Sequence, residues 1–194
     1  HAHFYTQAEW LTDEQNEVFA KTWQLAAHVG DLKNAGDHVV CTVAGKPILI
    51  VRQHDSSLRA FYNVCKHRAG PIATCKGSAA KTLQCAYHGW TYALDGQLRS
   101  ATEMQGAQEF DTSAIRLSTV QVREWNGLVF VALSEETPDF DTVYGGIVER
   151  IVPHDLSQMR FAKRDSYELA CNWKVYVDNF LEGYHLPYVH PGLS

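Results

Sequence analysis

The stretches Cys65-Lys66-His67 and Cys85-Ala86-Tyr87-His88 each hold one cysteine and one histidine close together, and residues 68–84 separate them. Thiolate and imidazole groups are ligands for transition metals. A two-iron cluster between two loops, with two cysteines on one iron and two histidines on the other, needs one ligand of each kind from each loop. The C-x-H and C-x-x-H spacings meet that need and predict a [2Fe–2S] centre.

Two plainer interpretations fit these four residues less well. A Cys₂His₂ zinc site in a binding module groups like ligands, as C-x₂₋₄-C followed by H-x₃₋₅-H, whereas each pair here is mixed. Four unrelated core residues could also meet at this spacing by chance. Cys75, which lies between the pairs, is the one competitor for a ligand position. A zinc module is colourless, so visible absorbance separates it from an iron–sulfur protein.

The residues beside the two pairs resemble those of the Rieske proteins. The second loop reads Cys85-Ala86-Tyr87-His88-Gly89-Trp90, and the first continues as Arg68-Ala69-Gly70-Pro71. Glycine and proline suit a loop whose backbone approaches a cluster. The resemblance implies an all-β Rieske domain whose cluster ligands are Cys65, His67, Cys85 and His88.

Two departures indicate the branch of the family. Respiratory Rieske proteins carry an additional cysteine in each ligand loop, and the two form a disulfide; here Pro71 or its neighbours and Ala86 stand at those positions. Those proteins also place a serine after His-Gly, where this chain has Trp90. Fewer hydrogen bonds to sulfur stabilise the reduced cluster less, so we expect a potential near the low end of about −150 to +300 mV. The His-Gly-Trp form is similar to the oxygenase branch.

A second motif, near the end of the chain, predicts a mononuclear iron site. Asp178, Glu182 and His185 stand at i, i+4 and i+7, which places them on one face of a helix. Pro187 should end that helix, so that His190 folds back towards His185. Two histidines and one carboxylate form the facial triad of non-haem Fe(II) oxygenases. Taken alone, the segment could also be a surface helix with solvated acids.

The same segment is similar to the iron-binding helix of Rieske oxygenase α subunits, including choline-monooxygenase-like members. Carried over by position, His185 and His190 are two ligands of the mononuclear Fe(II). Glu182 is the carboxylate that bridges the two metal centres, where ring-dihydroxylating members usually have aspartate. Asp178 or Asn179 would lie behind the ligands and support them.

Length and composition narrow the class of protein. The length of 194 residues allows one to two domains. The family's third iron ligand, an aspartate far downstream, would lie beyond Ser194, so we expect the N-terminal portion of a longer subunit. The net charge of −5 argues against a nucleic-acid surface, and no apolar run or signal peptide indicates a membrane or export. Five cysteines favour free thiols in the cytoplasm over a disulfide framework.

The local patterns predict an all-β Rieske domain followed by the start of an α+β catalytic domain. The expected bounds are a helical arm at 1–22, the Rieske domain at 23–135, and a truncated catalytic portion at 136–194. A capping box at Thr12–Gln15 predicts a helix to about Lys21. Strands are expected at 39–43, 47–52, 58–64, 82–84, 91–94, 117–124 and 128–133, the last two around an Asn126-Gly127 turn, and at 164–170.

The resemblance implies the catalytic subunit of a Rieske-type mono- or dioxygenase. It would use O₂ and electrons from NAD(P)H to hydroxylate a small organic substrate, either an aromatic ring or an N-methyl or quaternary amine. A reductase, with or without a ferredoxin, would reduce the cluster. A homotrimer, or a multiple of it, would place one subunit's cluster beside the next subunit's Fe(II); no nucleic acid or membrane is expected as a partner. The alternative, a ferredoxin-like Rieske electron carrier, explains residues 65–90 but not Glu182, His185 and His190.

Overall fold

The computed structural model describes residues 1–104, 106–151, 153–163 and 165–193. The chain divides into two compact units, one of residues 15–161 and one of residues 1–14 with 162–194. Compact units need not coincide with domains, so the domain bounds expected from the sequence stay a prediction.

Two antiparallel sheets form the first unit. The six-stranded sheet has the order β1-β9-β8-β4-β3-β2, and the three-stranded sheet has the order β5-β6-β7. Their strands are β1 (Gln24–His28), β2 (His38–Val43), β3 (Lys46–Arg52), β4 (Leu58–Tyr62), β5 (Leu83–Gln84), β6 (Thr91–Tyr92), β7 (Leu98–Ser100), β8 (Thr119–Trp125) and β9 (Leu128–Ala132). The expected all-β domain is confirmed.

Strand β3 is buried on both faces and separates two hydrophobic cores. Because side chains alternate along a strand, Ile48 and Ile50 enter one core while Leu49 and Val51 enter the other. The core on the Leu49 side also contains the predicted ligands Cys65 and Cys85. This strand therefore supports the region where a cluster is expected.

The hairpin of β8 and β9 turns at the predicted Asn126-Gly127 pair. Both residues have positive φ, 48° and 82°, as a two-residue type I′ turn requires. A Cβ atom on Gly127 would stand 2.4 Å from the Cα atom of Ser157, so only glycine lets residues 156–158 pack against the turn. The Asn126 side chain accepts the N–H of Leu156, in the same segment, at 3.2 Å and donates to the nearby His154 carbonyl at 3.0 Å.

The helices are α1 (His3–Thr6), α2 (Ala8–Glu17), α3 (Phe140–Ile151), α4 (Trp173–Leu181) and α5 (Leu186–Val189). Helix α4 begins at an Asn172 cap, whose side chain accepts the N–H of Lys174 at 3.0 Å. Its first turn is fixed to α2, because the Glu14 carboxylate accepts the indole N–H of Trp173 at 2.7 Å and pairs with the Lys174 ammonium. No helix among the described residues has the length and apolar character of a membrane span.

Two predicted elements were wrong. The helix expected to start at Thr12 starts at Ala8 and ends at Glu17; the Thr12 hydroxyl donates to the Ala8 carbonyl at 3.4 Å instead of capping. Residues 165–170 form no strand, and Arg164 lies outside the described residues. A strand needs a neighbour to pair its backbone groups, and Tyr167 and Leu169 remain exposed here.

Candidate metal centre

The first ligand loop leaves β4 and forms a closed turn from Cys65 to Gly70. The Cys65 N–H donates to the Gly70 carbonyl at 2.8 Å, and the Ala69 N–H donates to the Cys65 carbonyl at 3.0 Å. These bonds bring the chain back on itself within six residues. The Cys65 side chain points into the core while His67 stays at the surface.

The second ligand loop repeats the same turn between β5 and β6. The Cys85 N–H donates to the Trp90 carbonyl at 2.9 Å, and the Gly89 N–H donates to the Cys85 carbonyl at 3.0 Å. The fifth residue of each turn is left-handed: Gly89 has φ of 71°, and Ala69, in the first loop, has φ of 55°. Two loops with one geometry thus present one cysteine and one histidine each.

The left-handed Ala69 gives a stability prediction. We expect Ala69→Gly to raise the free energy of unfolding of the metal-free chain by roughly 0.5–1 kcal/mol, because relief of the Cβ clash exceeds the entropy that glycine adds to the unfolded state. Ala86, whose φ is not positive, is the matched control: Ala86→Gly should lower that free energy by a similar amount. Urea unfolding measures both variants, and a loss of stability in Ala69→Gly would contradict the idea of strain.

The four predicted ligands meet as two pairs of different exposure. The Cys65 and Cys85 thiols are free and buried, whereas the rings of His67 and His88 are exposed, with their centroids 4.6 Å apart. The loops touch closely: a Cβ atom on Gly70 would lie 3.2 Å from the Cys85 sulfur. Sulfur donors therefore lie inside and nitrogen donors outside.

This donor set fits a [2Fe–2S] cluster better than a single ion. Among the described residues, no group of three or more His, Cys, Asp or Glu side chains is arranged to hold one metal ion. A Rieske cluster needs only a pair of protein ligands on each iron, two thiolates on one and two imidazoles on the other. Two buried thiols and two neighbouring exposed imidazoles are such pairs.

Trp90 contacts a predicted ligand in a way that the sequence did not indicate. Its buried indole stacks on the imidazole of His67, with centroids 4.9 Å apart and planes 6° apart. Partial removal of water from the ring, followed by the charges of His88 and Arg68, lowers the pKa of His67 below its usual value. The neutral imidazole is the form that binds a metal.

Tyr92 is a second residue that sequence reasoning missed. Its hydroxyl lies 3.2 Å from the Cys65 sulfur and accepts the N–H of Lys66 at 3.1 Å. Burial, followed by the hydrogen bond to Cys65, raises the pKa of Tyr92. The hydroxyl therefore keeps its proton and can donate a hydrogen bond to a thiolate. A tyrosine two residues after Trp90, on the strand that leaves the loop, was the only signal in the sequence.

The bond from Tyr92 predicts a change of reduction potential. A hydrogen bond to a ligand sulfur stabilises the reduced, more negative cluster. We expect Tyr92→Phe to lower the midpoint potential by roughly 40 mV, the equivalent of one ordinary hydrogen bond in a one-electron couple. Titration followed by EPR measures the shift. Tyr62→Phe, on β4, is the control; equal potentials for Tyr92→Phe and the wild type would show that the hydroxyl does not act on the sulfur.

The structure corrects the helix predicted around the second motif. Helix α4 ends at Leu181, and Glu182 is extended, with φ of −125° and ψ of 152°. Asp178, Glu182 and His185 therefore do not share a helix face. The Asp178 carboxylate instead accepts a hydrogen bond from the Tyr5 hydroxyl at 3.1 Å. Gly183 disfavours continuation of the helix, and the Glu182 carboxylate caps the next turn by accepting the N–H of Tyr184.

Glu182, His185 and His190 nevertheless come together. The Glu182 carboxylate is hydrogen-bonded to Nδ1 of His185, and this bond is the main reason why the pKa of Glu182 is lowered. The rings of His185 and His190 stand 5.4 Å apart, edge to face. The prediction that Pro187 ends the helix of Asp178 was wrong, because that helix already ends at Leu181 and Pro187 lies in the first turn of α5. A carboxylate on Nδ1 orients a histidine that binds metal through Nε2.

Comparison with known protein families gives two matches. The model of the Rieske [2Fe-2S] domain matches residues 22–114, and the model of the catalytic domain of the ring hydroxylating alpha subunit matches residues 156–194. The two predicted motifs thus fall in two different family models. The first model contains both ligand loops, and the second contains Glu182, His185 and His190.

Individual relatives agree with these matches. The oxygenase subunit of carnitine monooxygenase from Escherichia coli (strain K12) is 35% identical over 195 residues, which cover 100% of this chain and 52% of that protein. Chloroplastic choline monooxygenase from Beta vulgaris is 31% identical over 96% of this chain and 43% of that protein. The chain therefore spans about half the length of the curated relatives it matches.

Solved structures share the fold. A quaternary ammonium Rieske monooxygenase in complex with L-carnitine superposes with a TM-score of 0.91 at 35% identity, covering 98% of this chain and 55% of that one. Naphthalene 1,2-dioxygenase with bound indole superposes with a TM-score of 0.84 at 24% identity, covering 95% and 43%. The second likeness concerns the fold alone.

Proposed function

This chain belongs to the family of Rieske non-haem iron oxygenase α subunits, and we propose that the whole protein is the catalytic subunit of a monooxygenase. The observation that carries the proposal is the presence of two kinds of metal-ligand set in one chain. The paired Cys/His loops suit an electron-transfer cluster, and the neighbouring His185 and His190, with Glu182 on Nδ1 of His185, supply two of the ligands that a mononuclear iron needs. An electron carrier needs only the first set.

Each ligand set would have its own role. When bound, a [2Fe–2S] cluster supplies single electrons and a mononuclear Fe(II) activates O₂. Cys65, Cys85, His67 and His88 would hold the cluster. His185 and His190 would hold the Fe(II) together with a third ligand from the remainder of the subunit, and Asp178 would hold α4 against the N-terminal helices through Tyr5.

The proposed reaction has a fixed electron balance. One oxygen atom enters a C–H bond of the substrate and the other leaves as water, while two electrons and two protons are consumed. NAD(P)H would supply the electrons through a reductase, with or without a ferredoxin. The exposed rings of His67 and His88 lie on the surface where such a partner, or a neighbouring subunit, could approach.

Assembly into a homotrimer, or a multiple of it, would complete the path of the electrons. A bridging carboxylate needs one hydrogen bond to a ligand of each centre. Glu182 already bonds Nδ1 of His185 in this chain, so its second partner would be His67 or His88 of the neighbouring subunit.

A cytoplasmic location, and domain bounds at 23–135 and 136–194, are also part of the proposal.

The substrate class that we propose is a quaternary ammonium or N-methyl amine rather than an aromatic ring. Relatives named for carnitine, choline and glycine betaine are 31–35% identical to this chain, whereas the naphthalene dioxygenase structures are 22–24% identical. Hydroxylation of a carbon bound to nitrogen gives an unstable hydroxymethyl amine, which then loses that carbon.

The test uses the full-length subunit with a reductase and NADH. Carnitine, choline and glycine betaine are offered in turn, with naphthalene as the aromatic comparison, and products are identified by mass spectrometry with ¹⁸O₂. We expect one quaternary amine to give product coupled to NADH oxidation. Three irons per chain with turnover support the oxygenase. Two irons per chain, with electron transfer but no ¹⁸O in any product, would establish the electron carrier instead.

A further inference from the structure

Asn63 is a buried amide placed two residues before Cys65. Its Oδ1 atom accepts the N–H of Ile72 at 2.9 Å and the N–H of Ala73 at 3.1 Å, and its Nδ2 group donates to the Ala73 carbonyl at 2.7 Å. The side chain thus pairs with both backbone groups of Ala73, as a neighbouring strand would. These three bonds close the loop that carries Cys65 and His67.

The two ligand loops differ in how their ends are joined. The second loop leaves and re-enters a β ladder, because Gln84 pairs with Thr91 across β5 and β6. The first loop has no such ladder: β4 ends at Tyr62, and residues 71–76 form no strand. The Asn63 side chain takes the place of the missing ladder.

The burial of this amide makes its bonds costly to lose. Asn63 is 6% exposed and Ile72 is 5% exposed, so the N–H of Ile72, once released from Asn63, would find little water, whereas Ala73 is half-buried. A buried polar group left without a partner costs more than an ordinary hydrogen bond contributes. Removal of the amide therefore favours an opening of the loop that restores hydration of residues 72 and 73.

We propose that Asn63 is a positioning residue of the cluster site, which holds the loop of Cys65 and His67 against the second ligand loop. The inference rests on the proposed function, because it requires that these residues bind a cluster. The three side-chain hydrogen bonds of Asn63 all go to the backbone of residues 72 and 73, so it acts at the far end of the loop that carries the ligands. Loss of Asn63 should therefore alter the geometry and the retention of the cluster and not merely the stability of the fold.

The test compares three variants of the chain after reconstitution with iron and sulfide without air. Asn63→Leu keeps the volume and removes all three bonds. Asn63→Asp keeps the two acceptor bonds and removes the donor. Gln53→Leu is the matched control, because Gln53 is also a buried amide, bonded to the Leu94 carbonyl at 2.9 Å, but does not close a ligand loop.

Two measurements separate positioning from general stability. One is the rate at which an iron chelator bleaches the visible absorbance, and the other is the set of EPR g values of the reduced cluster. We expect Asn63→Leu to bleach about tenfold faster than wild type, with shifted g values, and Asn63→Asp to be intermediate. Gln53→Leu should unfold at lower urea concentration with wild-type g values and a wild-type bleaching rate.

The outcomes distinguish this inference from the function on which it rests. Wild-type g values and bleaching no faster than that of Gln53→Leu, in either Asn63 variant that folds, overturn the role of Asn63 while the cluster assignment stands. If Asn63→Leu yields no folded chain, Asn63→Asp decides by the same criteria. A wild-type chain that takes up no Rieske-type cluster overturns both the proposed function and this inference.

Discussion

We expect Cys85→Ala to abolish the red-brown absorbance of the reconstituted chain and to reduce its bound iron to background. A Rieske iron on the sulfur side has only two protein ligands, so one remaining thiolate at Cys65 cannot hold it. The exposed rings of His67 and His88 lie on the other side of the site and cannot replace a buried sulfur. Absorbance, together with iron and sulfide analysis, measures the loss.

The matched control is Cys75→Ala. Cys75 lies between the two loops in the sequence and is exposed, so its removal should leave iron content and absorbance unchanged. Far-ultraviolet circular dichroism of both variants shows that the sheets remain folded. A colourless Cys75→Ala with a coloured Cys85→Ala would mean that the ligand set has been assigned to the wrong cysteine.

The fold of the first unit could be predicted because its signals are local. Strand β3 is an apolar run between turn residues, and the β8–β9 hairpin turns at Asn-Gly, so each element is marked within a few residues. The ligand spacing is also local, since each loop carries its cysteine and histidine within four residues. Once the fold brings the two ligand loops together, the rings of the two histidines are expected to lie close to each other.

The errors arose where two local patterns competed. Thr12 to Gln15 has the letters of a capping box, but Ala8 and Glu9 are themselves good helix formers, so α2 begins a turn earlier. Around Glu182 the i, i+4, i+7 spacing favours one long helix, while Gly183 favours a break. The helix breaks at Glu182, because the Glu182 carboxylate can cap the next turn.

The contacts of Trp90, Tyr92 and Asn63 could not be predicted, because they depend on the packing of one loop against another. Tyr92 reaches Cys65 across 27 positions of sequence, and the Trp90 indole meets His67 from the second loop. Neither pairing has a spacing rule. The sequence position of Trp90 indicates the absence of a serine hydroxyl and the oxygenase branch of the family, but not that its ring stacks on His67. The side-chain contacts that support a metal site are therefore the part of the site that only the structure reveals.

The bond between Glu182 and His185 leads to the largest kinetic effect that we predict. In the full-length subunit, Glu182→Gln should leave both metal centres occupied but slow electron transfer from cluster to iron by roughly 10- to 100-fold. A carboxylate accepts hydrogen bonds on both oxygens, so it can bond the N–H groups of two ligand histidines at once, whereas an amide offers one acceptor oxygen. Stopped-flow oxidation of the reduced cluster by O₂, with substrate bound, measures the rate.

Two further variants assign that effect to the bridging carboxylate. Glu182→Asp keeps the charge on a shorter side chain, so it should restore part of the rate if the carboxylate itself is needed. Glu168→Gln removes an exposed charge from the same unit and should oxidise at the wild-type rate. The metal content of all three must match the wild type for the comparison to hold. An unchanged rate in Glu182→Gln would mean that Glu182 only caps the turn at Tyr184. Electrons would then cross between subunits by a path that does not include Glu182.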